Sequence, residues 1–165
     1  MIISHQQHSN SRNQRKTSVC ATLLFSLCLM SASEYSHSEI SIVISNNNLN
    51  ELSSADIRKI FLGKRTSFPD GNPATPINQQ ENSEITQQFN FIFLNRSPQQ
   101  YKAYWARMVF TGKGHPPESS YSDDDIIALI KNDPSVISYI QSSSLTSDVK
   151  EILRIKKPTT NKLHF

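Results

Sequence analysis

Cysteine is nearly missing from this sequence: Cys20 and Cys28 are the two it has, both within its first thirty residues. Long apolar runs are missing too. The longest, Ser18 to Met30, has 13 residues, against about 20 for a helix that crosses a bilayer. Arg12, Arg15 and Lys16 precede it, and Ser31-Ala32-Ser33 follows with small residues at the −3 and −1 positions of a cleavage site. Residues 1–33 therefore read as a secretory signal peptide. A lipid anchor does not fit, because Cys28 follows Leu27 and Cys20 follows Val19, where a bacterial lipoprotein needs a small residue. Cleavage after Ser33 leaves a chain from Glu34 that has no thiol, which excludes disulfides, a cysteine nucleophile and a cysteine-held metal together. Its expected place is the periplasm, with no membrane insertion after cleavage.

An excess of one charge is also lacking. The formal charge of +3 belongs to the signal segment: Arg12, Arg15 and Lys16 leave with it, none of the 14 acids does, and the mature chain is neutral. It has no electrostatic footprint for nucleic acid. Within it, residues 156–165 form a basic tail behind a mildly acidic body. Catalytic chemistry is missing as well, since no nucleophile–base pair or close acid pair stands at a meaningful spacing. His115 has no second ligand beside it, so no metal is expected. Asp123, Asp124 and Asp125 are adjacent at a helix start, where neighbours diverge by about 100°, so they complement the helix dipole rather than converge on an ion. Neither an enzyme nor a cofactor is expected.

What is present is an alternation of strands and helices. Ile40 to Ser45 is a β-branched run suited to a strand that is mostly buried. Ser53 caps a helix over Ser54 to Leu62 with Asp56 at N3; Ile57, Ile60 and Phe61 face inward, and Gly63 closes it, with Lys64 and Arg65 beyond. Phe68 to Pro73 is turn chemistry. A short strand then runs from Thr75 to Asn78, a polar loop from Gln79 to Asn82, and a helix opens near Ser83 with Ile85, Phe89, Ile92 and Phe93 on one stripe. Ser97-Pro98-Gln99-Gln100 starts the longest helix, whose apolar face carries Tyr101, Tyr104, Trp105, Met108 and Val109. After the loop from Thr111 to Pro117, Ser122 caps a fourth helix that Pro134 stops, and strands are expected at Val136–Ile140 and Val149–Ile155. The order β, α, β, α, α, α, β, β with long crossovers predicts an α/β domain with a mixed, mostly parallel sheet. The loop leading to Ser83 reads either as a plain helix cap or as an anion-accepting place, since free N–H groups and about half a positive charge gather at a helix start.

Two segments carry a resemblance to a known family. Ile60-Phe61-Leu62-Gly63-Lys64, followed by turn, strand, polar loop and helix, together with Tyr104-Trp105 and the run Phe110 to Pro117, resembles the periplasmic phosphate-binding proteins that feed ABC transporters, in particular their short, one-lobed members. The resemblance covers roughly residues 40–155. It implies a three-layer αβα domain over 34–155, the single lobe of a type II periplasmic-binding-protein-like fold, which holds inorganic phosphate or another small oxyanion and works with a membrane protein partner. In the family the loop after the strand reads Arg-Ser-Asp-Gly-Ser-Gly-Thr. Here Gln79, Glu81, Asn82 and Ser83 take the ligand-binding positions, with Ser83 matching outright and Glu81 keeping an acid. The arginine is absent and Glu84 adds a negative charge. Two roles follow: a solute-binding module of the phosphate type, or an interaction or sensory module that keeps the lobe and has lost the ligand.

Overall fold

Ile40, Ile42 and Ile44 point to one side of the first strand and Ser41, Val43 and Ser45 to the other, and all six are buried. A strand buried on both faces needs a layer on each, and the structure supplies both. It is a computed structural model that describes residues 39–156. The expected signal peptide 1–33, and the tail apart from Lys156, lie outside the described residues.

The described chain runs β1 (Ile40–Ser45), α1 (Ser54–Phe61), β2 (Thr75–Gln79), α2 (Glu84–Gln88), a π-helical turn (Phe89–Phe93), α3 (Pro98–Phe110), β3 (Glu118–Tyr121), α4 (Asp123–Asn132), β4 (Val136–Gln141), a 3-10 turn (Ser142–Ser144) and β5 (Val149–Ile155). The sheet order is β3-β2-β4-β1-β5. β2 pairs parallel with β3 and β4, and β1 pairs antiparallel with β4 and β5, so four strands share one direction and β1 opposes them. This is the mixed, mostly parallel sheet that the element order predicts.

Two apolar cores lie on its two faces. On one, Ile40, Ile42, Ile44, Ile137 and Tyr139 meet Ile57, Ile60 and Phe61 of α1 and Ile85, Phe89 and Phe93 of the α2 region. Phe89 lies flat on Tyr139, with centroids 4.0 Å apart, and edge-on to Phe61 at 4.8 Å. On the other face Val43, Ile77, Val136 and Ile140 pack against Ile126, Ile127 and Ile130 of α4. The layers are α, β, α, as expected. Among the described residues no helix is long and apolar enough to cross a membrane.

Three details differ from the sequence reading. β3 is a short strand, beyond the expected loop, that the element order did not include; its Glu-Ser-Ser-Tyr sequence carries no apolar alternation, and it pairs on one side only, with β2. The helix from Ser83 keeps α geometry for five residues, then widens into the π turn, where Leu94 N–H reaches the Phe89 carbonyl at 3.1 Å. The apolar stripe of α3 is buried at Trp105, but Val109 near its end is 45% exposed.

Candidate functional site

A crevice of about 390 Å³ opens where β2, β3 and β4 end. All three strands point into it, and two helices, α2 and α4, begin at its edge. Carboxyl ends of parallel strands are where open α/β sheets place their ligands. Gln79 closes β2, Tyr121 closes β3 and Gln141 closes β4; Ser83 and Asp123 stand at the two helix starts, with Asp124 beside them.

The chain brings Gln79 and Ser83 to this crevice, as the resemblance implies. Gln79 is buried, and its side-chain amide donates to the Asp123 carboxylate and, at 3.1 Å, to the Tyr139 carbonyl. The second Asp123 oxygen accepts the Gln141 backbone N–H at 3.3 Å. A carboxylate that the chain itself supplies is thus held by donors from two strand ends, in the way a bound anion would be held.

Ser83 caps α2 by accepting the Thr86 N–H at 3.4 Å. Its hydroxyl is one step of a chain: Tyr139 Oη lies 2.9 Å from Thr86 Oγ1, which lies 2.9 Å from Ser83 Oγ, which lies 2.8 Å from the Gln80 carbonyl. Ser83 is the donor on both sides, to the Gln80 carbonyl and to Thr86 Oγ1, so its one proton is shared between them. At the far end the Gln79 N–H donates to Tyr139 Oη at 3.4 Å. Burial pushes the Tyr139 phenol well above its ordinary pKa, which keeps the chain protonated and neutral.

The other two expected residues turn elsewhere. Glu81 is exposed and pairs with Lys102 of α3 at 3.3 Å. Asn82 is exposed, and its carbonyl accepts from the Gln87 side chain at 3.2 Å. Among the described residues no lysine or arginine lines the crevice, whereas Asp123 and Asp124 do. Asp123 and Gln141 escaped the sequence reading. Seeing β3 would have been the signal, because a strand ending at Tyr121 delivers Ser122 and Asp123 to the mouth of the sheet. Asp125, by contrast, is a cap: Ser122 and Asp125 bond each other reciprocally, which holds the Asp125 carboxyl below its usual range.

No protein-family model matches this sequence, and no curated protein matches it. Solved structures do. One, assigned as a phosphate ABC transporter substrate-binding protein from Clostridium perfringens and holding bound phosphate, is 17% identical with a TM-score of 0.52, over 70% of this chain and 45% of that one. An ABC-type phosphate transport receptor from Vibrio cholerae is 14% identical with a TM-score of 0.46, over 70% of this chain and 46% of the receptor. The chain spans less than half the length of these proteins. At such identity the likeness to the Clostridium protein is one of fold, and it agrees with a single lobe of a periplasmic-binding-protein-like architecture.

Proposed function

We propose that this chain is a periplasmic binding-type module, exported by residues 1–33, that acts through contact with a partner protein, a membrane protein among the candidates, and does not hold phosphate in its strand-end crevice. The observation that carries this reading is the Asp123 carboxylate, seated between Gln79 and the Gln141 N–H where an oxyanion would dock. A phosphate entering there meets Asp123 and Asp124 with no cation among the described lining residues to offset them, and like charges in a partly desolvated place repel strongly. The Ser83 hydroxyl proton is already engaged by the Gln80 carbonyl and Thr86 Oγ1. A binding role fits better than catalysis, as among the described residues no cluster of metal-ligating side chains accompanies the crevice.

Calorimetry on the mature protein tests this. Titration with phosphate and sulfate at low salt is expected to give no saturable heat up to about 1 mM, the level at which binding contributes only about 4 kcal/mol. Low-micromolar phosphate binding overturns the reading.

A further inference from the structure

On another face a groove of about 870 Å³ runs along α3, and among the described residues its lining contains four cations and no acid: Lys64, Arg96, Arg107 and Lys113. This concentration stands out in a body with more acids than bases. Two of the cations arrive by one local device. In α1, Leu62, Gly63 and Lys64 turn back their N–H groups to Arg58, Ile60 and Lys59; in α3, Thr111, Gly112 and Lys113 do the same to Arg107, Val109 and Met108. Each glycine has positive φ, 63° at Gly63 and 64° at Gly112, and each is followed by a lysine. Dipole complementarity accounts for a lysine at each helix end. It does not account for both opening into one groove with two arginines.

Arg96 is the most prepared of the four. Its guanidinium stacks on the Tyr104 ring at 4.6 Å, and Tyr104 is in turn fixed by donating to the Leu62 carbonyl at 2.6 Å. Its Nε–H is buried and has no hydrogen-bond partner. No acid among the described residues lies in ion-pair range of Lys64, Arg96, Arg107 or Lys113, although Lys59, Arg65, Lys102, Lys131 and Arg154 all have one. A planar donor fork held on a ring, with no acid paired to it, suits a carboxylate.

We propose that this groove is the docking surface for an extended acidic segment of a protein partner. The wall is a helix of 13 residues, about 20 Å long, which matches an extended stretch of about six residues. Charge complementarity names the partner's chemistry. A flat membrane surface fits less well, because the lysines and Arg96 line a concavity rather than a protruding face. The groove shares no residue with the strand-end crevice. It gives the partner-contact reading a surface, while phosphate calorimetry tests the crevice separately, so the two fail independently.

The test is fluorescence anisotropy of a labelled hexaglutamate peptide on the mature protein at low salt and at about 0.15 M. Saturable binding that weakens with salt is expected. The double variant Arg107→Glu, Lys113→Glu changes exposed residues and should weaken binding about tenfold or more. Arg96→Lys keeps the charge and loses the fork, and should weaken it several-fold. Lys131→Glu, a charge reversal outside the groove, should leave it unchanged. Absence of peptide binding overturns the proposal. So does equal weakening by Lys131→Glu, which means diffuse attraction, or binding to phosphatidylglycerol vesicles without binding to the peptide, which assigns the groove to lipid.

Discussion

Replacing Gln79 with arginine restores the residue type that the resembling family uses, yet here the new guanidinium lands beside the Asp123 carboxylate that Gln79 already touches. The expected outcome of Gln79→Arg is an internal ion pair and no phosphate binding. Adding Asp123→Asn and Glu84→Gly frees the guanidinium and removes two negative charges. A hydrogen bond to a charged group is worth about 1.5 to 3 kcal/mol, or about 10- to 150-fold in affinity, so the triple variant should bind phosphate measurably while Gln79→Arg alone does not. Calorimetry separates the cases, and phosphate binding by the single variant would show that Asp123 is no obstacle. The sequence made the loop positions of this site legible: Gln79 and Ser83 do reach the crevice. Asp123 was not legible, because its partner Gln79 is 44 residues away, and only the pairing of β2 with the inconspicuous β3 brings them together.

Helix ends were the most readable elements, since capping is local chemistry. Ser53, Ser83, Ser97 and Ser122 all cap the helices expected of them, and Ser97 with Gln100 and Ser122 with Asp125 form full capping boxes. β3 and the π turn were unreadable for the opposite reason: one is held by a neighbouring strand and the other by packing on Tyr139. Gly63 joins local and tertiary demands. Its φ of 63° closes α1, and a Cβ there would come within 2.9 Å of the Trp105 ring. Gly63→Ala should therefore cost about 1 to 3 kcal/mol through left-handed strain and the displaced indole. Trp105 itself is 5% exposed and meets Tyr101 and Tyr104 edge-on, so Trp105→Ala should cost about 3 to 5 kcal/mol. Urea midpoints check both, and a Trp105→Ala protein as stable as the parent would show that the ring is not core.

For the molecule as a whole, buried polar groups and surface carboxylates set opposite pH limits to stability. Asp56, held by the Ser53 hydroxyl and by Arg65, Asp70, held by the Asn50 and Asn72 amides, and Glu151, held by Arg154 and Ser41, all have carboxyls below their usual range. A depressed carboxyl binds its proton more readily in the unfolded chain, so its contribution is complete above about pH 4 and fades as acid titrates the folded group. Tyr139 works in the other direction. Burial raises its phenol well above the ordinary value, and burial raises Tyr101 too. The unfolded phenols lose their protons first, near pH 10, so stability should fall as the pH rises beyond that. Unfolding midpoints should form a plateau between about pH 5 and 9 with a shoulder lost on each side. Tyr139→Phe isolates the alkaline limb. It leaves the Thr86 hydroxyl and the Gln79 N–H without that partner and so lowers stability at neutral pH by about 1 to 3 kcal/mol. It also removes one of the raised phenols that drive the alkaline loss, so its midpoint should decline less steeply above pH 10 than that of the parent. An unchanged alkaline slope in this variant would show that Tyr139 ionises as freely in the fold as outside it.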